Sequence, residues 1–135
     1  MTSKTPITSP TIRVSSGTPR IRPARSDDLA ALGVETFGAT NRGWVAELDD
    51  VILGAAGVLH TRPFQAYATM RPEMKRWPKT MVRAIGMFRE MLQEHYTSVY
   101  AVADEKYPNS MRVLEKAGFV HKHGRVFTWQ RQLSR

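Results

Sequence analysis

Apolar positions along the chain change rhythm several times, and each change predicts an element. Ile21-Arg22-Pro23-Ala24 reads as a short strand. Ser26-Asp27-Asp28 then supplies a hydroxyl N-cap and two first-turn acids that suit the helix dipole, for a helix through Leu29, Leu32 and Val34. Gly43 to Leu48 alternates, Asp49-Asp50 forms a turn, and Val51 to Leu59 is a second apolar run containing Gly54, Ala55 and Ala56, which together predict a hairpin. Phe64 to Met70 is a further strand. Met81, Ala84, Ile85, Phe88, Met91 and Leu92 recur at helical spacing and predict the longest helix, from Thr80 to His95. Ser98 to Val102 is a buried strand. Pro108 suits a first helical position, Met111, Leu114 and Ala117 form an inward stripe, and Gly118 suits a left-handed stop. Val126 to Trp129 is the last strand. The order β-α-β-β-β-α-β-α-β, without internal repeats, predicts an α/β (α+β) domain whose central mixed sheet carries helices on both faces.

Composition adds limits. The 135 residues make one domain and can bury a substantial core. The absence of cysteine excludes disulfides, thiolate catalysis and Cys-based zinc sites. No apolar run approaches the roughly 20 residues of a membrane span, and the polar start lacks a secretory apolar stretch, so a soluble, cytoplasmic protein without a membrane partner is expected. The formal charge of +8 is concentrated at one end. Lys4, Arg13, Arg20, Arg22 and Arg25 precede any acid, whereas the chain after Arg25 carries 15 basic and 12 acidic residues. Residues 1–19, rich in Thr, Ser and Pro, are expected to form a flexible basic arm ahead of a domain spanning 20–135. Such an arm either remains solvated or binds an anionic partner, nucleic acid included; with no aromatic residue before Phe37 it offers no stacking platform.

The segment Tyr107-Pro-Asn-Ser-Met-Arg-Val-Leu-Glu-Lys-Ala-Gly-Phe119 resembles the N-P-x-S-x-R-x-L-E-K-x-G-F stretch of the GNAT superfamily, the Gcn5-related N-acetyltransferases, with Ser110, Arg112, Leu114, Glu115, Lys116, Gly118 and Phe119 matching. Ile21 to Leu29 is similar to that family's opening strand and helix, and the Asp49-Asp50 hairpin to its second and third strands. The resemblance spans about Ile21 to Arg131.

The resemblance implies a GNAT-like domain with a mostly antiparallel sheet that binds acetyl-CoA where two parallel strands splay apart, and transfers acetyl to a primary amine. Phosphates would sit on backbone amides before the long helix, where a helix terminus carries free donors and glycine permits close approach. The family's phosphate loop falls on Met70 to Thr80: Pro72 and Glu73 match, Lys75 supplies the basic first position, and the two signature glycines are replaced by Pro78 and Thr80. Proline has no amide to donate, so Lys75, Arg76 and Lys79 would compensate by charge and Thr80 by its hydroxyl. The implied cofactor-binding residues are Met70, Lys75, Arg76, Trp77, Lys79, Thr80 and Ser110, with Trp77 either stacking on adenine or capping the core. Phe64 to Met70 contains no carboxylate, which leaves Glu73 and Glu47 as candidate bases and Tyr107 as candidate acid. Phe37 to Arg42 is the expected acceptor wall.

His60, His95, His121 and His123 are scattered without a carboxylate cluster, so no metal site is expected, and no nucleophile elbow activates a serine. The sequence is also similar to small GNAT-fold proteins of short-tailed bacteriophages, which combine a short hairpin, a loop without the glycines and a basic amphipathic helix ending in Tyr, here Met81 to Tyr96. That likeness implies an alternative to catalysis, a virion, assembly or host-interaction role with a phage or host protein partner. The charge of the arm leaves a further alternative, a nucleic-acid-binding module using the basic arm.

Overall fold

The computed structural model of the chain describes residues 17–103 and 109–132. Strands β1 (Arg20–Pro23), β2 (Asn41–Leu48), β3 (Val51–Leu59), β4 (Gln65–Met70), β5 (Ser98–Val102), β6 (Val120–His123) and β7 (Val126–Gln130) form one sheet in the order β1-β2-β3-β4-β5-β7-β6. Every neighbouring pair is antiparallel except β4 and β5, which run parallel. The helices are α1 (Ser26–Ala31), α2 (Pro78–His95) and α3 (Asn109–Lys116), with a 3₁₀ turn at Pro72–Arg76. The protein is thus an α/β domain with a mostly antiparallel mixed sheet.

Alternation along the strands sends two sets of side chains to two faces. Leu29 and Leu32 at α1 pack with Val45, Ala55, Leu59 and Tyr67 on one face. On the other, Phe88 and Leu92 of α2 and Leu114 of α3 meet Val58, Ala66, Val99, Ala101 and Phe127, and all of these are buried. This larger cluster is why α2 repeats its apolar residues so regularly. Among the described residues no helix is long and apolar enough to cross a membrane.

The hairpin turn holds Asp49 and Asp50 at φ 51° and 67°, the left-handed pair that a two-residue turn needs to match strand twist. Gly118 stops α3 at φ 105°, as its position after the apolar stripe predicts. The first helix differs from expectation. Its N-cap is Arg25 rather than Ser26, and the Asp28 carboxylate reaches back to accept the Arg25 N–H at 2.8 Å. It also ends at Ala31, because Gly33 at φ 77° turns the chain away and leaves Leu32 and Val34 outside it.

Several boundaries and two elements depart from the sequence pattern; β1 runs Arg20–Pro23, one residue early, and β4 begins at Gln65. Helix α2 starts at Pro78, two residues early, since proline suits a first turn whose amide has no partner. Strand β2 starts at Asn41 rather than Gly43. The 3₁₀ turn replaces the plain loop expected before α2, and β6 is an additional strand. All four residues of β6 are exposed at the sheet edge, so no buried face marks it in the hydropathy pattern. The expected arm lies outside the described residues, apart from residues 17–19, and Pro108 lies outside them as well.

Candidate active site

The parallel pair sets the geometry. Strands β4 and β5 are in register only at Gln65 with Tyr100 and Ala66 with Ala101. From Tyr67 to Met70, β4 remains bonded to β3 but has no partner in β5. The Arg71 N–H donates to Leu53 O on the β3 side at 2.8 Å, so strand alternation turns the amides of Ala68 and Met70 to the open side. Among the described residues, the sheet therefore carries a gap beside this half of β4, lined by backbone donors and acceptors without a strand partner.

On the α2/α3 face a groove leads to this gap. Met70, Met81, Ile85 and Val113 form its apolar wall, and Lys75, Arg112 and Lys116 add three exposed cations. Arg112 and Lys116 are four residues apart and so share one face of α3. At the start of α2 the Met81 N–H closes on Trp77 O and the Trp77 N–H closes on Met74 O. Proline supplies no donor at 78, so the first turn presents the amides of Lys79 and Thr80.

On the opposite face a cleft of about 250 Å³ reaches the same stretch of β4. Gln65, Tyr67 and Thr69 contribute from the strand, Glu35 and Phe37 from the loop after α1, and Arg125 from the turn before β7. The Tyr67 hydroxyl donates to Asn41 Oδ1 at 3.0 Å, and burial pushes its ionisation well above the ordinary range, so it stays protonated. Gln65 Oε1 accepts from the Tyr100 hydroxyl at 3.1 Å. Thr69 is 4% exposed and its hydroxyl has no hydrogen-bond partner among the described residues.

The arrangement of this sheet and its helices recurs in solved structures. An acetyltransferase of the GNAT family from Staphylococcus aureus Mu50 aligns with a TM-score of 0.51 at 9% identity, over 84% of this chain and 99% of that chain. The chain has the GNAT fold. A chimeric spermidine N-acetyltransferase from Vibrio cholerae SpeG and hSSAT aligns with a TM-score of 0.48 at 15% identity, over 84% of this chain and 96% of that one. No protein-family model matches the chain, and no curated protein does.

Within the GNAT fold, the residues singled out from sequence separate into groups. Met70 and Lys75 line the groove, and Lys79 and Thr80 stand at the open first turn of α2. Arg76 is exposed on the 3₁₀ turn. Trp77 is half-buried and packs against the cluster of Leu53, Met70 and Met74, so it caps the core. Ser110 is fully buried in the first turn of α3. Glu73 is exposed on the 3₁₀ turn and lines neither groove nor cleft. Glu47 lies on β2, where Arg22 Nε donates to it; that guanidinium holds its carboxyl below the ordinary range. Tyr107 lies outside the described residues. Of the expected acceptor wall, Phe37 lines the cleft, whereas Asn41 and Arg42 open β2 and line a separate hollow beside the C-terminal half of α2.

Arg112 and Lys116, matched in sequence only as part of the family segment, join the groove in the structure, and Glu35, Thr69 and Arg125 enter as cleft residues there. For the α3 pair a signal was present, since i,i+4 cations on an amphipathic helix mark one face. For Thr69 and Arg125 there was none, because what brings them together is the parting of two strands.

Proposed function

We propose that the protein is an N-acetyltransferase that moves an acetyl group from acetyl-CoA to a primary amine. The observation that supports it most is the gap beside β4, reached by a groove on one face and a cleft on the other, so that a thioester and an amine can meet edge-on at the strand.

The groove suits acetyl-CoA in its chemistry. The apolar wall of Met70, Met81, Ile85 and Val113 fits the thin arm of the cofactor, and the Ala68 and Met70 backbone groups can hydrogen-bond its amides. Lys75, Arg112 and Lys116 supply charge for phosphates, and the Lys79 and Thr80 amides supply donors. When bound, acetyl-CoA supplies the activated acyl carbon. The chain's own contribution is to hold that carbon at the strand edge and to admit an amine from the α1 face with its lone pair free. Strand β4 carries no carboxylate, so an amine that arrives neutral passes its proton to solvent through the open cleft.

Titration calorimetry with acetyl-CoA, CoA and ATP at moderate salt tests this. Micromolar binding of the two CoA compounds, with ATP far weaker, is expected. A Lys75→Glu/Arg112→Glu variant should lose at least tenfold in affinity while unfolding at the same temperature. Failure to bind acetyl-CoA would sink the proposal and favour a non-catalytic role for the fold, the reading that Pro78 and Thr80 at the two glycine positions support.

A further inference from the structure

The cleft on the α1 face holds an unexplained polar group. Thr69 lies on β4 in the half that has no β5 partner, and its hydroxyl is buried without a hydrogen bond among the described residues. Leaving such a group unsatisfied costs roughly 1–3 kcal/mol, so a native structure keeps one where it serves a ligand or a bound water. The neighbouring polar groups of the strand are already engaged, Tyr67 with Asn41 and Gln65 with Tyr100. Thr69 is therefore the buried side chain of β4 whose hydroxyl is left without a hydrogen bond among the described residues, and it shares the face of Gln65 and Tyr67 toward the cleft.

A carboxylate would serve as base at this position, and a threonine hydroxyl is far too weak an acid or base for that. It can accept one N–H of a neutral amine and donate its own proton to water or to a carbonyl oxygen. That contact would orient the nitrogen lone pair across the strand edge.

The approach to the hydroxyl is also shaped. Phe37 is 69% exposed and sits at φ 55°, a left-handed conformation that a bulky side chain adopts only when held there. A turn closed by the Ala39 N–H on Thr36 O at 2.9 Å holds it there, and the Glu35 carboxylate accepts the Phe37 N–H at 3.1 Å. An aromatic ring and a carboxylate thus stand where a ligand enters. On the opposite wall, Arg125 Nη1 donates to Ala103 O at 3.0 Å, turning that part of the guanidinium to the backbone.

We infer that the Thr69 hydroxyl is the group in this cleft that receives the primary amine. The inference rests on the acetyltransferase reading. In the reaction the amine nitrogen bonds to the acyl carbon, the carbon–sulfur bond breaks with its electron pair going to sulfur, the nitrogen loses a proton to cleft water, and water protonates the thiolate. Thr69 is unchanged throughout and acts by position.

The test uses the full chain and two substitutions, Thr69→Val, which removes only the hydroxyl, and Thr69→Ser, which keeps it. Acetyl-CoA affinity is measured by calorimetry, and transfer is measured by thiol release with n-butylamine, spermidine and a lysine-containing tripeptide as probes. The expected result is acetyl-CoA affinity unchanged in both variants, with kcat/KM for the amine falling about 10- to 100-fold in Thr69→Val and recovering to within a few-fold of the parent in Thr69→Ser. The melting temperature of Thr69→Val without ligand should hold or rise, since a buried unpaired hydroxyl has been removed. Transfer by Thr69→Val at the parent rate overturns the inference, as does loss of acetyl-CoA affinity in that variant, which would turn Thr69 to the cofactor. A parent protein that binds acetyl-CoA yet acetylates none of the three amines also overturns it, and leaves the cofactor reading standing. A parent that does not bind acetyl-CoA removes both.

Discussion

Arg22 shows how one side chain joins elements that the sequence keeps apart. It donates to both oxygens of Asp28 at 2.8 and 2.9 Å and also to Glu47, tying β1 to α1 and β2. The guanidinium holds both carboxyls below their ordinary values of 3.8 and 4.5. A lowered carboxyl pKa contributes stability that is present above the unfolded value and is lost as pH falls through the folded one. The contribution of this network should therefore be present above the ordinary values of 3.8 and 4.5 and decline progressively as pH falls from there through the lowered folded values. Replacing Arg22 by Met leaves the buried Asp28 carboxylate with the Arg25 N–H and the exposed Arg25 guanidinium, and should cost about 1–3 kcal/mol in urea unfolding at neutral pH. The gap between parent and variant should narrow as pH falls below the ordinary carboxyl values, where the unfolded chain takes up protons first; a gap independent of pH would show that Arg22 acts through packing alone.

Among the elements, the centre of the sheet is built on absent side chains. Gly43 of β2 faces Gly57 of β3, and the Tyr67 ring crosses both. A Cβ at Gly57 would lie 2.5 Å from Arg42 O and from the Tyr67 hydroxyl, inside any real contact distance. Gly57→Ala should cost about 1–3 kcal/mol and disturb the Tyr67 to Asn41 hydrogen bond. Gly86, on the outer side of α2, meets nothing within 4 Å, and Gly86→Ala should stabilise by up to about 1 kcal/mol. Denaturant unfolding of both variants checks the pair, and equal effects would contradict the sheet geometry. Each glycine sits in an apolar stretch, so sequence context does not distinguish them. The strand-to-strand register does.

For the whole molecule, the proposed cofactor site lies on the side of β4 that has no strand partner beyond Ala66 among the described residues. A ligand that binds only the folded form stabilises it by mass action, about 2.7 kcal/mol at a hundred times Kd. Acetyl-CoA and CoA should both raise the melting temperature, and the rise should shrink with added salt because Lys75, Arg112 and Lys116 are exposed and screened. A shift insensitive to salt would place binding away from these cations.

The sequence by itself determined what depends on near neighbours. Local periodicity marks β2 to β5, β7 and α2, since burial of one face leaves a repeat of two or 3.6 residues; local backbone preference marks the Asp49-Asp50 turn and the Gly118 stop. The matched segment from Ser110 to Phe119 also carried the correct fold, because its stripe and stop residue are set within one helix. Strand β6 escaped because no face of it is buried, and the end of α1 escaped because Gly33, not the apolar spacing, terminates the helix. The tertiary structure alone decided the site. The parting of β4 from β5 after two residue pairs, the meeting of α3 cations with the groove, the unpaired hydroxyl of Thr69 and the binding of Glu47 to Arg22 all join residues distant in the chain. No local pattern encodes such contacts, since they arise from the packing of whole elements against one another.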